Sequence, residues 1–369
     1  MKIELIPGGR GLVPILCLIA WHILFSGAQA LTPSLPLPTR LVYQLPLGTW
    51  IENMYVQPSG DILVTTMAPN ASVYLIANPD SNSASATLVH TFDGIGGVLG
   101  ITETEPDVFA VVGGTTSGPG APVNGTFGVW ALDLRRGPLS ASVRRITAMP
   151  EAGLLNGIDK LPGSPIVLIA DSTLGLVWRV NVHTGDYAVA IRDDSMAIPS
   201  TAPLPIGING IRLHQGYLYW TSSFLKSIYR VRISCEGERE PGAVASLVSS
   251  YNNTQMLDDL FFGPGDRETI WTPTNIDNLL LAMDSVTGKA TLVDGAPSAL
   301  TVAGGTACAF GRKDRDHEIL YVVTAGANGA PVNGTVTEGA KMVAVDTRGY
   351  FSHKDSRRFA KTQSHTFQR

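Results

Sequence analysis

Several things that usually signal an enzyme class are scarce in this chain. Charged residues make up only 16% of its 369 positions, and no long segment repeats apolar residues at helical spacing. That excludes a helical bundle and weighs against an α/β sheet. Lys and Arg number 27 against 31 Asp and Glu, a formal net charge of −4, so no global basic field points to nucleic acid. Cysteines number three and histidines seven, and no Gly-x-Ser-x-Gly elbow occurs, which removes the commonest nucleophile signature of hydrolases. What the chain does have is glycine (39) and proline (24), the punctuation of a turn-rich all-β protein.

The N-terminus is a separate segment. Lys2 and Arg10 precede an apolar run, Gly11–Phe25, followed by the small-residue pattern Ala28-Gln29-Ala30. The run falls short of the ~20 residues of a membrane span and fits a signal peptide over residues 1–30; an uncleaved anchor is the alternative. Removal would take Cys17 and leave Cys235 and Cys308 in a secreted or lumenal protein. Four sequons agree with that route, at Asn70, Asn124, Asn252 and Asn333.

From Arg40 onward one pattern recurs. The stretch Ile206–Arg232 reads as three short strands, Ile208–Leu213, Tyr217–Trp220 and Ser227–Val231, joined by turns. Such a unit cannot bury both faces alone. Copies of its second strand begin near Asp61, Asp107, Pro165, Gly216, Glu268 and Glu318, spaced by 46, 58, 51, 52 and 50 residues. Third strands follow at Ser72, Gly128, Leu176, Ser227, Leu279 and Lys341, and fourth strands at Leu88, Val143, Tyr187, Ala243 and Ala290. Six four-stranded units of this period predict a six-bladed β-propeller over residues 31–347. The sixth unit lacks a fourth strand; Arg40–Gln44 is expected to supply it and close the ring, so deleting Leu41–Tyr43 should harm stability more than deleting residues after Tyr350. Residues 348–369 form a basic tail, expected to be disordered. The heptapeptide GAPVNGT occurs at Gly120–Thr126 and Gly329–Thr335, each between a second and a third strand. With Asn70 this puts three sequons on one face, as surface loops or a decorated rim.

Inner strands of a propeller line its channel. Aligning IENM, LGI, LNGI, INGI, LDDL and GTAC brings Glu52, Leu99, Asn156, Asn209, Asp258 and Thr306 to one position around the axis. Five of the six carry side-chain oxygens, which suits a hard cation such as Ca²⁺ or a polar substrate; the alternative is that Asn-Gly simply forms turns. Trp50, Trp220, Trp271 and Phe224 are candidate aromatic walls, although each Trp could equally pack between blades. Lys226 could approach from its loop. Beyond residue 30 the histidines fall on outer strands, in turns or in the tail: His90, His183, His214, His317, His353 and His365. The turn Asp314-Arg315-Asp316 reads as solvated, and Cys235 and Cys308 lie too far apart in the repeat for a disulfide.

Glu in the first inner strand, Asn-Gly in the middle ones and Asp in the fifth resemble the senescence-marker, gluconolactonase and paraoxonase-like propellers. That resemblance implies a divalent cation held by Glu52, Asn156, Asn209 and Asp258, with Asp259 beside them, and a lactonase or esterase activity. The motifs WIEN (Trp50–Asn53), PDVFAVVGG (Pro106–Gly114), LNGI (Leu155–Ile158), VWRVNVHTG (Val177–Gly185), GYLYWT (Gly216–Thr221) and CAFGR (Cys308–Arg312) are more specifically similar to secreted fungal propellers of the same superfamily. Their characterised members include hetero-Diels–Alderases that join a tropolone-derived quinone methide to a humulene-type sesquiterpene. The resemblance implies apolar polyketide and terpenoid substrates, a monomer, and no cofactor required for the cycloaddition. Glu52, Asn156, Asn209, Asp258 and Thr306 would then be the catalytic set. A calcium-dependent hydrolase and a non-catalytic binding propeller remain as alternatives.

Overall fold

The computed structural model describes residues 34–351. The signal peptide read at residues 1–30 and residues 352–369 of the basic tail lie outside the described residues. The first four tail residues, 348–351, are ordered against the expectation, because Arg348 bonds Asp346 and Tyr350 and Phe351 pack on Trp271.

The described chain forms six four-stranded antiparallel sheets, with three short 3₁₀ turns between strands. Each sheet is a blade. In blade 3 the strands run outward in chain order: Leu155–Lys160, Ile166–Asp171, Leu176–Asn181 and Tyr187–Arg192. Blade 4 repeats this with Ile208–His214, Tyr217–Ser222, Ser227–Arg232 and Ser246–Ser250. Its last strand starts later than Ala243 because Val244 stands in solvent at 80% exposure, and pairing begins only at Ser246 with Arg230.

Second strands are buried on both sides, as in ILVTT and IVLIAD, because each blade is covered by two neighbours. The apolar side chains gather in one cluster per blade–blade interface. Leu168, Ile191 and Trp220 belong to the cluster between blades 3 and 4, and Trp271, Val322 and Val343 to that between blades 5 and 6. Outer strands alternate and leave residues such as Leu88 and Leu247 half in water.

The ring closes as the missing fourth strand requires. Thr39–Gln44 pairs antiparallel with Lys341–Asp346, Arg40 opposite Ala344, and so completes blade 6. Arg40 also donates to the carbonyls of Pro79 and Ser81 in blade 1, tying the closing strand across the seam. On the other side of blade 6, Tyr350 and Phe351 pack edge-on against Trp271, with ring centroids 5.2 and 6.3 Å away.

The turn at Asp314–Asp316 is not wholly solvated. Asp316 is 1% exposed, because it accepts hydrogen bonds from the Lys313 amide (2.8 Å) and the Tyr321 hydroxyl (2.9 Å), while Arg315 and Lys313 reach Asp80 in blade 1. Cys235 and Cys308 are both free thiols, as their placement predicts.

Candidate functional site

The aligned ring position owes its geometry to a shared irregularity of the inner strands. In blades 2, 3 and 4 two inner-strand residues oppose one on the second strand: Leu99-Gly100, Asn156-Gly157 and Asn209-Gly210. In blades 1 and 6 the register slips by one residue at Glu52 and Thr306. These are β-bulges, which break the alternation locally and re-aim a side chain. Asn-Gly is therefore a bulge signal here rather than a turn signal.

The glycines serve the packing of adjacent inner strands. A Cβ on Gly157 would lie 2.7 Å from the Asn209 carbonyl oxygen and 2.8 Å from the Gly210 Cα, closer than real contacts allow. A Cβ on Gly210 would lie 2.6 Å from the Asp259 Cα. Threonine hydroxyls clip the same positions to the neighbouring blade: Thr65 donates to the Leu99 carbonyl (2.5 Å), Thr221 to that of Asp258 (2.6 Å) and Thr306 to that of Ile51 (2.9 Å).

The bulges deliver Glu52, Asn156 and Asn209, and the segment before the short inner strand of blade 5 delivers Asp258, to the floor of a cavity of about 90 Å³ at one mouth of the channel. All four are at most 8% exposed. Trp50 donates its indole N–H to Glu52 Oε2 at 2.5 Å, and Asn275 donates to Asp258 Oδ2 at 2.8 Å. Asn209 donates to the Ser223 hydroxyl at 3.2 Å. The Asn156 amide makes no hydrogen bond among the described residues. The walls are apolar, built from Trp50, Leu99, Leu154, Ile206, Met256 and Ile276. The two GAPVNGT connections lean over this mouth, with Gly120 and Gly329 both on the cavity lining.

Two carboxylates buried together are poorly solvated, so both acids are weakened. Burial raises Glu52 to about 7; the Trp50 hydrogen bond works against the rise and the charge of Asp259 adds to it. Asp258 is raised well above the ordinary carboxylate range by burial first and then by Glu52, with Asn275 opposing. One layer deeper lies a compensated network. Asp259 accepts from Asn53 (3.0 Å) and from Arg212 (2.9 Å), and Arg212 stacks over Phe261 with its Cζ 5.4 Å from the ring centroid.

The structure therefore brings together Trp50, Glu52, Asn156, Asn209 and Asp258 and leaves other candidates elsewhere. Thr306 is fully buried, and its hydroxyl is spent on the Ile51 and Val323 carbonyls. Trp220 and Trp271 are fully buried within interface clusters, where their large apolar rings bury more area than a mouth position would allow. Phe224 and Lys226 do not line the cavity. No histidine among the described residues lines it either; His214 lies at the opposite mouth, 3.2 Å from Glu268. In blade 5 only Phe261–Phe262 pairs as an inner strand, because the Asp259 amide turns to the Thr306 carbonyl of blade 6 at 3.1 Å.

Asn275 and Arg212 were not apparent as site residues from sequence. Asn275 could have been found from its position, since it lies between second and third strands like the two GAPVNGT loops. Arg212 is the one cation in its inner strand.

Among the described residues, no group of three or more His, Cys, Asp or Glu side chains is arranged to hold a metal ion. The mixed floor of two carboxylates and two amides does suit a hard cation in donor chemistry. Trp50 occupies one oxygen of Glu52, and Asn275 and Asn209 both hydrogen-bond Asp258, so the other Glu52 oxygen, the remaining lone pairs of Asp258 and the amide oxygens of Asn156 and Asn209 are the candidate ligands.

Fold and site together define a six-bladed propeller with an apolar mouth over an acidic floor. No family model matches the chain. Among curated proteins it is 35% identical over 311 residues to one from Phoma sp described as "Putative hetero-Diels-Alderase", covering 78% of this chain and 87% of that protein. It is 30% identical over 352 residues to a protein of like description from Sarocladium schorii, covering 88% and 87%. The chain belongs to this hetero-Diels–Alderase-like family of six-bladed propellers. Solved structures share the fold at low identity. A calcium-binding protein, regucalcin, from Agrobacterium tumefaciens aligns with TM-score 0.57, 14% identity and coverage of 84% of this chain and 94% of that one. A luciferin-regenerating enzyme aligns with TM-score 0.60, 11% identity and coverage of 85% and 96%.

Proposed function

We propose that the chain is a hetero-Diels–Alderase-type pericyclase that joins a tropolone-derived quinone methide to a sesquiterpene alkene. The observation that carries this reading is the pairing of apolar walls with a floor of two buried carboxyls and two amides, in a chain of this family.

The cycloaddition converts three π bonds into one C–C bond, one C–O bond and one new π bond, and no proton is lost or gained. Electron density grows on the quinone methide oxygen in the transition state. A protonated Glu52 or Asp258, or an Asn156 or Asn209 amide N–H, donates a hydrogen bond to that oxygen and lowers the barrier. The apolar walls hold the alkene in register and keep water from adding to the quinone methide. The cavity of about 90 Å³ encloses the reacting atoms and leaves the bulk of both substrates toward the rim. A cation, when bound, would supply positive charge at the same floor; the cycloaddition does not require one.

Purified protein given a quinone methide precursor and a humulene-type alkene should raise adduct yield and fix its stereochemistry, with Glu52→Ala and Asn156→Ala each costing roughly 10- to 1,000-fold in rate. An unchanged racemic product would refute this reading.

A second reading, a divalent-cation-dependent lactonase, is favoured by the free carboxylate and amide oxygens on the floor, with Glu52 near 7 as a general base. Lactone hydrolysis that needs added calcium and disappears in Asp258→Asn would establish it. Loss of neither activity, with saturable binding of an apolar ligand, would leave a binding propeller.

We further propose a secreted or lumenal monomer. The four sequon asparagines, Asn70, Asn124, Asn252 and Asn333, are all exposed and available for glycans. Mass spectrometry of protein from a fungal secretion host, before and after endoglycosidase, tests this.

A further inference from the structure

The opposite mouth of the channel opens into a second cavity of about 360 Å³, formed by the far ends of the inner strands. That is within the range of small-ligand pockets, ~300–1,000 Å³. It is physically separate from the floor of Glu52 and Asp258 and carries a different chemistry. Its walls hold Phe261, Phe262, Phe310 and Tyr55. His214 extends one of these flat faces, stacked on Phe262 at 4.0 Å with 11° between planes.

The charges at this mouth are unequally engaged. Asp159 accepts from the Lys160 amide (2.9 Å) and the Leu213 amide (2.7 Å), one donor on each oxygen. Glu103 accepts from Tyr55 (2.9 Å) and the Asp107 amide (3.0 Å). Glu268 is held by His214 (3.2 Å), Gln215 (2.7 Å) and Ser285 (2.9 Å). Arg212 is matched by Asp259 (2.9 Å). These carboxylates therefore have chain donors already, and a cation would gain little from them.

Arg312 is the exception. It lines the cavity, is exposed, and uses only Nη1, on the Tyr55 hydroxyl (3.3 Å) and the Val56 carbonyl (3.2 Å). It has no carboxylate partner among the described residues. Its remaining N–H donors are a planar fork suited to a carboxylate.

We propose that this mouth is a second ligand site that binds a flat aromatic monoanion, an aromatic carboxylate or phenolate. The ring lies among Phe261, Phe262 and Phe310, and the anionic oxygens meet the Arg312 guanidinium. The site is independent of the pericyclase reading.

The test is titration of the full chain with 2-naphthoate, followed by calorimetry. One saturable site is expected, weakened about tenfold or more in Arg312→Ala and unchanged in Glu52→Gln at the other mouth. The neutral amide, 2-naphthamide, should bind at least tenfold more weakly. Phe310→Leu keeps the core volume close to native, and it should weaken both ligands. Binding lost in Trp50→Ala but kept in Arg312→Ala would overturn the proposal. So would equal affinity for acid and amide, or no saturable binding in the folded protein.

Discussion

Glu52 sits where three influences meet: burial, an indole hydrogen bond and the charge of Asp259 one layer deeper. Its carboxyl rises from 4.5 to about 7, chiefly by burial. The sign for stability is the reverse of the usual carboxylate. Between pH 4.5 and 7 the folded state binds more protons than the unfolded one, so stability falls as pH rises through this window. The loss is on the order of 3 kcal/mol above it. Thermal unfolding without divalent cations should show a midpoint that drops from pH 5 to pH 8, with a much flatter profile in Glu52→Gln. The indole bond lowers the Glu52 value, so Trp50→Phe should move the alkaline limb of the cyclisation rate to higher pH. A limb that moves down, or that stays in place, would show that Glu52 is not the titrating donor.

At the scale of elements, the bulged inner strand is the unit that makes a site. Blades 2, 3 and 4 each place a glycine just after the ring residue, and adjacent backbones approach too closely there for any side chain. Gly157→Ala should cost about 1–3 kcal/mol through forced backbone shifts, read as a lower urea midpoint at unchanged slope. Thr221→Val, which removes the hydroxyl clip on the Asp258 carbonyl, should cost about 1 kcal/mol. Because that carbonyl belongs to a floor residue, the same variant should lower the cyclisation rate without unfolding the protein. The short inner strand of blade 5 follows the same logic. Asp258 keeps one bond within its own blade, to the Pro273 carbonyl, while the Asp259 amide turns to Thr306 of blade 6.

For the whole molecule, the strand Thr39–Gln44 converts an open arc into a ring. Deleting Leu41–Tyr43 should expose the edge of Lys341–Asp346, lower the thermal midpoint by more than any single-residue change above and open blade 6 to proteolysis; a near-native midpoint would argue against closure as a stability device. The architecture was legible in sequence because it repeats. Strand alternation, turn residues and a period near 50 residues are local, and six copies average out errors in any one. The missing fourth strand could be inferred from the same regularity, and so could the convergence of Glu52, Asn156, Asn209 and Asp258. Other features depend on what each side chain meets across a blade interface. The ends of second strands look alike in sequence, yet Trp220 and Trp271 turn into interface clusters while Trp50, on an inner strand, reaches Glu52. Thr306 occupies the ring position but spends its hydroxyl on the next blade, and Asn275 comes from a connection to hold Asp258. By itself the sequence determined the number of blades, their order and the column of residues facing the axis, since these follow from periodicity along one chain. Only the tertiary structure decided which members of that column meet, which acids are buried and which aromatic faces remain open, because those depend on desolvation and contacts between segments more than 200 residues apart in sequence, as between Asn53 and Asp259, separated by 206 positions.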